Sequence, residues 1–454
     1  MPRCYLCTDV FTVPRGALHL AHFPRAGTSM RINRTGVGLL HALRNGGVRR
    51  GPENAAFLEL LSGLRLISEE APAARPAVAA LSEDPIARLT SVTLFLTTRC
   101  NLACRYCYAA GGERNRTLPV AAARRAVGFV MENAKANGVD VVPVGFHGGG
   151  EPTRAWELLR RVVDHARQVA TAVGVRPVFG ITTNGVLERD RCDWLIENGF
   201  EISLSMDGLG DVHDQLRPLR GTGSSFRRIL RTLKRLGAGG APHGVRITVS
   251  DANLAGVPDL VRFLCEDSAC HTIQLEPLHL GGRAGTAGLR PPEISEFISL
   301  WTECREHASR HGRILRYSGL HYPGARSRFC RATGRSLCVT PDLHLTSCYE
   351  VLEDRDPRAA QFFFGRYRPD TDRLEIDPDI LAAQQTLCVE HAPWCADCIA
   401  KHHCAGDCPA KRALESPGDD RYRCRLNREL LLRCIEMDLD RHGAASKMER
   451  RQAR

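Results

Sequence analysis

The chain has 454 residues, 43% hydrophobic and 25% charged, with 19 cysteines and a formal net charge of +11. That length suggests about three domains, and the composition excludes wholesale disorder and a small secreted disulfide scaffold. No run of eighteen apolar residues occurs, and the opening MPRCYLCTDV has no apolar signal core. A cytoplasmic protein without a membrane span is therefore expected, its thiols serving metal binding or catalysis. The charge is mostly arginine, 57 against five lysines, without a long block. The basic tail 447–454 reads as a solvated end, and without a recognition motif no nucleic-acid partner is expected.

The first predicted elements lie in a compact block at 8–75. ALHLAHF (17–23) alternates as a strand and MRIN (30–33) is its candidate partner. Val37, Leu40 and Leu43 then sit at helical spacing, with Gly46 and Gly47 stopping the helix. A second helix is predicted over 53–61, and the Ala/Pro-rich stretch 70–84 reads as a linker.

From 91 to about 311 short apolar runs alternate with helical stretches. The runs are SVTLFLT (91–97), VDVVPVGF (139–146), RPVFGIT (176–182), FEISLSM (200–206), GVRITVS (244–250) and HTIQLEP (271–277). Helices are predicted over 120–137, 154–173, 188–198, 226–236, 254–266 and 292–311. Six strands each followed by a helix imply a parallel sheet with right-handed crossovers. The fold class is α/β, read as a partial (β/α)6 TIM-like barrel over 88–312; an open doubly wound sheet fits the same pattern. Polar and glycine-rich signals follow each run, at the strand ends where such folds build their sites.

After the first run, Cys100, Cys104 and Cys107 form C-x3-C-x2-C on one loop. Iron–sulfur clusters use such closely spaced thiolates, and three ligands leave one iron of a [4Fe–4S] cube open. A zinc loop is the plainer alternative. The three cysteines, with Tyr106 before the last, resemble the signature of the radical S-adenosylmethionine (SAM) enzymes. Gly149, Gly150 and Glu151, followed by Pro152, look like that family's GGEP turn, which implies binding of the SAM amino group. Ser205 and Asp207 resemble its polar residues near the ribose, Thr183 and Asn184 hold a similar lining position, and Arg217 matches the arginine that meets the SAM carboxylate. The resemblance implies a [4Fe–4S] cluster with an open site for SAM. It further implies reductive cleavage of SAM to a 5′-deoxyadenosyl radical that takes a hydrogen atom from substrate.

Nine cysteines lie between Cys330 and Cys424. A zinc ribbon could use four of them. Behind a radical SAM domain the segment 325–436 resembles a SPASM domain, which implies two auxiliary [4Fe–4S] clusters. In that pattern Cys395, Cys398, Cys404 and Cys424 hold the outer cluster, and Cys330, Cys348 and Cys408 contribute to the inner one. Cys338 is the candidate fourth ligand, with an open inner site as the alternative. Cys192, Cys265, Cys270, Cys304, Cys388 and Cys434 read as buried small hydrophobes, and the pair Cys4 and Cys7 is left without a function.

The N-terminal block resembles a RiPP recognition element, a small winged-helix fold, which implies binding of a precursor peptide's leader by strand addition. A domain that only packs on the barrel is the alternative. The favoured reading is a radical SAM peptide maturase forming a thioether or carbon–carbon cross-link. Its partners would be a precursor peptide with a leader segment and an external one-electron donor resembling flavodoxin or ferredoxin. A formylglycine-generating, sulfatase-maturase-like enzyme is the second reading. Those enzymes carry an Asp directly after the cysteine matching Cys348, and here that place is Tyr349. A multi-cluster electron-transfer protein is the third, against which the GGEP turn argues.

Overall fold

The computed structural model describes residues 3–71, 84–414 and 421–452, with side chains as far as Arg441. Most of the predicted linker, and the side chains of the basic tail, lie outside the described residues.

The N-terminal block contains β1 (Arg3–Leu6), β2 (Phe11–Arg15), β3 (Leu18–Phe23), β4 (Thr28–Ile32), α1 (Arg34–Asn45), β5 (Val48–Arg49), α2 (Ala55–Gly63) and β6 (Ile67–Ser68). β2, β3 and β4 form an antiparallel meander, and β1 pairs with β5 and β6. The alternation of ALHLAHF buries Leu20 and His22 on one face and Ala21 and Phe23 on the other, so both faces of β3 are covered. α1 begins where the Asn33 side chain accepts from the Gly36 N–H at 2.9 Å, an N-cap, and its Leu40 and Leu43 are fully buried. Cys4 is buried in this core whereas Cys7 is exposed.

The central region runs β7 (Val92–Leu94), α3 (Val120–Ala136), β8 (Val141–Phe146), α4 (Trp156–Val173), β9 (Arg176–Thr183), α5 (Arg189–Glu197), β10 (Glu201–Ser205), α6 (Asp211–Leu216), α7 (Ser225–Ala238), β11 (His243–Val249), α8 (Val257–Glu266), β12 (Thr272–Pro277), α9 (Ile294–Arg310) and β13 (Ile314–Arg316). All six predicted strands are present. A seventh, β13, pairs parallel with β12; it is three residues long and carries too few apolar positions to be read from pattern. The order from β13 back to β7 is strictly sequential with every pairing parallel. No order reversal, the hallmark of a doubly wound sheet, occurs among these strands.

The C-terminal part contains β14 (Leu337–Val339), β15 (His344–Thr346), α10 (Ala359–Phe362), β16 (Phe363–Arg368), β17 (Arg373–Ile376), α11 (Pro378–Gln385), α12 (Pro409–Arg412) and α13 (Tyr422–Gln452). β14 pairs parallel with the outer side of β7, and β15, β16 and β17 continue antiparallel, giving one eleven-stranded sheet. The cysteine-rich segment thus grows out of the central sheet rather than standing apart. It also receives the N-terminal block: Arg15 pairs with Glu436 at 2.8 Å and Arg31 with Asp440 at 2.6 Å, both on α13. No helix among the described residues is long and apolar enough to cross a membrane.

Candidate functional site

A cavity of about 190 Å³ opens at the C-terminal ends of the parallel strands. The loop after β7 brings Cys100, Cys104, Tyr106 and Cys107 to its wall, and the turn after β8 brings Gly149, Gly150 and Glu151. Thr183 and Asn184 enter from the end of β9, Ser205 from β10, and Arg217 from beyond α6. Predicted residues scattered over 118 positions therefore line one space.

Backbone contacts fix the cysteine loop. Ala103 N–H donates to the Pro218 carbonyl at 2.8 Å, Arg105 N–H to Leu216 at 3.0 Å, and Arg220 N–H to Asn101 at 2.9 Å. The Arg220 side chain donates to the Gly111 carbonyl at 3.0 Å. The segment carrying Arg217 is thus also the clamp on the cysteines, a role motif reading missed. The glycine turn lies against the same loop: a Cβ on Gly150 would meet the Arg99 carbonyl oxygen at 2.1 Å, so only glycine fits there.

Glu151 is the electrostatic centre of the turn. Its Oε1 accepts from Thr153 N–H (3.1 Å), Thr153 Oγ1 (2.8 Å) and Thr183 Oγ1 (2.8 Å), and its Oε2 accepts from Asn184 N–H at 2.8 Å. All these donors are neutral, and among the described residues no cationic side chain pairs with it. Burial raises its pKa despite the hydrogen bonds that oppose the shift. Oε2 retains acceptor capacity, so the donor set fits an ammonium ligand. Thr183 and Asn184 act as supports here: Asn184 Nδ2 donates to Asn101 Oδ1 at 2.8 Å and reaches Cys100 Sγ at 3.9 Å.

Asp207 has a different position from the expected one beside a ribose. It is fully buried, absent from the cavity wall, and its Oδ1 accepts from Thr248 N–H at 2.7 Å. Its Oδ2 meets the Tyr106 hydroxyl and lies 3.3 Å from Arg217 Nη1, which also bonds Tyr106. Tyr106, Asp207 and Arg217 form one buried knot that aims the guanidinium. Among the described residues Arg217 Nε has no hydrogen-bond partner, so it retains a donor for an anion.

The cavity has a second wall that the motifs did not show. Arg246 from β11, Glu276 and His279 from the end of β12, and Glu350 and Lys411 from the cysteine-rich part line it. Lys411 Nζ lies 3.7 Å from Glu350 Oε1 and Arg358 Nη1 3.6 Å from Oε2. Burial pushes the Glu350 carboxyl up, but the Lys411 and Arg358 cations beside it outweigh burial and hold the group below its ordinary pKa. Burial, reinforced by Lys411, takes His279 down to about 4, leaving it neutral. Nothing in the local sequence marks Glu350 and Lys411, because the fold brings them in from far along the chain.

In the C-terminal part Cys395, Cys398, Cys404 and Cys424 line one small cavity. Asn427 Nδ2 approaches Cys404 Sγ at 3.0 Å and Arg412 Nη1 approaches Cys424 Sγ at 3.8 Å, donors that suit thiolates. Burial pushes the Cys348 and Cys330 thiols up, and each lies near enough to Cys408 for that thiol to add to the shift. Cys338, fully buried on β14, senses Cys330 alone of these. A single zinc ion would draw its thiolates to about 3.8 Å from one another, given Zn–S bonds of about 2.3 Å. Among the described residues, no set of three cysteine sulfurs lies mutually within 4.8 Å. The six cysteines read as small hydrophobes, Cys192, Cys265, Cys270, Cys304, Cys388 and Cys434, are all buried.

The fold is α/β, and its cavity sets a three-cysteine loop beside a buried carboxylate at the strand ends. Residues 94–264 match the model of the Radical SAM superfamily, and the chain carries a radical SAM domain followed by a cysteine-rich C-terminal part. It is 26% identical over 268 residues to the sporulation killing factor maturation protein SkfB of Bacillus subtilis, covering 58% of this chain and 60% of SkfB. It is 26% identical over 337 residues to a serine-type anaerobic sulfatase-maturating enzyme of Klebsiella aerogenes, 71% of this chain and 79% of that enzyme. Among solved structures, Streptococcus suis SuiB bound to S-adenosylmethionine shares the fold with a TM-score of 0.54 at 14% identity, over 93% of this chain and 100% of SuiB. Residues 76–454 alone cannot supply that coverage, so part of the N-terminal block has a counterpart in that fold.

Proposed function

We propose that this chain is a radical SAM peptide maturase acting on a ribosomally made precursor. The observation that carries the reading is Glu151, a buried carboxylate without a cation, set beside the three-cysteine loop in a cavity whose opposite wall is charged. In this reading Cys100, Cys104 and Cys107 hold a [4Fe–4S] cluster, Glu151 and the glycine turn hold the SAM amino group, and Arg217 its carboxylate. When bound, the cluster and SAM supply a 5′-deoxyadenosyl radical. The chain's own residues orient SAM, exclude water, and present the substrate against Arg246, His279, Glu350 and Lys411. The sequential parallel strands support a partial (β/α) barrel, extended at β7 by β14. The outer cysteine cavity supports one auxiliary [4Fe–4S] cluster, and Cys330, Cys348 and Cys408, with Cys338 or an open position, would hold a second.

The N-terminal block is assigned the leader segment. Among the described residues β2 and β4 each pair only with β3, so each has an edge fit for strand addition. β4 lies against α13, whereas four consecutive residues, Val10 to Val13, line a groove of about 690 Å³ with α1, Trp394 and α13. A run of consecutive lining residues marks an edge rather than a face, and the β2 edge is the proposed leader site. An external one-electron donor and a cytoplasmic setting complete the assignment, and the bond formed is a thioether or carbon–carbon cross-link.

Anaerobically reconstituted protein should hold about twelve irons and, with reductant and SAM, release 5′-deoxyadenosine. Clusters without that product overturn the reading. A second reading keeps a specific support. Tyr349 replaces the Asp of sulfatase-maturating enzymes, yet Glu350, one position on, faces the cavity, so formylglycine formation is the alternative for the same site. Mass spectrometry of co-expressed precursor separates the two: a loss of two mass units without new aldehyde reactivity indicates a cross-link.

A further inference from the structure

Away from the cavity, three ligand-type side chains converge where α8 and α9 end. Glu266 is the last residue of α8, His307 lies in the last turn of α9, and His311 is the residue that caps that helix. His307 Nε2 is 3.0 Å and His311 Nε2 3.8 Å from the same Glu266 oxygen, Oε1. One ligand atom from each residue falls within 4.8 Å of the other two. We infer that this triad is a mononuclear site for a divalent transition cation of the zinc type, independent of the iron–sulfur chemistry and of the proposed function.

Four observations carry this. Tetrahedral zinc with ligand bonds of about 2.0–2.1 Å needs its ligand atoms about 3.4 Å apart, between the two measured separations. The His311 ring is already set in the metal-binding tautomer, because its Nδ1 lies 3.0 Å from the His307 carbonyl oxygen and donates to it, leaving Nε2 with its lone pair. His307 Nε2 is buried without a hydrogen-bond partner: its short approach to Oε1 lacks hydrogen-bond geometry. An orphaned nitrogen beside a carboxylate is what a shared cation would satisfy. Finally, in a chain with 57 arginines, the only ion-pair partners of Glu266 among the described residues are these two imidazoles.

A histidine in the last turn of a helix, a second four residues on at its cap and a carboxylate from a neighbouring helix give three protein ligands, and water can complete the tetrahedron. Both helix C-termini lie at the sheet end opposite the cysteine loop. A cation there would join α8 to α9 beside the edge strand β13, and its role is structural.

The test uses cluster-reconstituted holoenzyme dialysed against micromolar ZnCl2, with zinc counted by elemental analysis. Wild-type protein should retain one zinc per chain more than His311→Ala and than Glu266→Gln, two surface variants whose iron content controls for folding. Zinc should raise the thermal midpoint of wild type by a few °C, and that of the variants by much less. Deoxyadenosine formation should be the same in all three. Equal zinc retention, or an equal thermal shift, in wild type and both variants overturns the site.

Discussion

His22 of β3 and His403 of the cysteine-rich part share a hydrogen bond, Nε2 to Nε2 at 2.8 Å, which joins the N-terminal block to the loop that carries Cys404. His22 Nδ1 is held by Ser29 Oγ at 2.8 Å and His403 Nδ1 by the Gly324 carbonyl at 2.8 Å. One ring donates and the other accepts, so the contact needs at least one neutral imidazole.

Burial, then the His403 charge, takes the His22 pKa down to about 3. Above pH 6.5 the ring is neutral folded or unfolded, and its contribution is intact. As pH falls from 6.5 toward 3 the unfolded chain takes up a proton that the folded one refuses. Stability then drops by about 1.4 kcal/mol per pH unit from this group. His22→Phe should cost roughly 1–3 kcal/mol at pH 7.5, by leaving His403 unpaired. It should also lose less of its thermal midpoint than wild type between pH 7.5 and 5.5. An unchanged acid slope would show that this pair does not couple the two parts.

Glu151→Gln tests the ammonium site. The amide keeps the shape and the Oε1 acceptor but removes the charge and places donors opposite the Asn184 N–H. A charge-assisted hydrogen bond contributes about 1.5–3 kcal/mol, so SAM affinity should fall by roughly 10- to 150-fold with iron content unchanged. Calorimetric titration of SAM measures it; wild-type affinity in the variant would remove Glu151 from the site.

The cysteine sets should separate by function. Cys104→Ala should abolish deoxyadenosine. Cys398→Ala should lower iron by about four atoms per chain and reduce peptide modification more than SAM cleavage. If Cys398→Ala retains the full iron complement, the outer cavity holds no cluster.

These experiments address residues of unequal legibility. The six strands and their helices follow from apolar runs of strand and helix length, and the cavity-lining motifs from their place at strand ends. β13 was missed because three residues at a sheet edge bury too little to leave a pattern. Asp207 sits in a polar run after β10, which spacing alone cannot tell from a cavity position; its burial beneath Tyr106 and Arg217 is a tertiary fact. Glu350 and Lys411 face the cavity only because β14 pairs with β7, a contact between positions more than 240 residues apart. His403 and its partner His22 are linked in the same non-local way.

Glu350 separates chemistry on the substrate from chemistry on SAM. It stands on the wall opposite the cysteines, held by Lys411 and Arg358. Glu350→Gln should therefore leave deoxyadenosine formation without peptide within about twofold of wild type, while modified peptide per deoxyadenosine falls at least tenfold. Equal loss of both products would place Glu350 in cofactor binding and not at the substrate.

The leader groove can be tested without removing the N-terminal block, whose loss would take away His22 and uncover His403. Glu429 is an exposed residue of α13 that lines the groove opposite the β2 edge. A tryptophan there fills space that an added strand must occupy, on a helix surface that tolerates the change. Glu429→Trp should weaken binding of a fluorescent leader peptide by tenfold or more, while iron content and peptide-independent deoxyadenosine stay at wild-type levels. Ala at the same position, which leaves the groove open, should bind as wild type does. Undiminished binding to the tryptophan variant would exclude this groove, leaving the β4 edge or the central cavity to hold the leader.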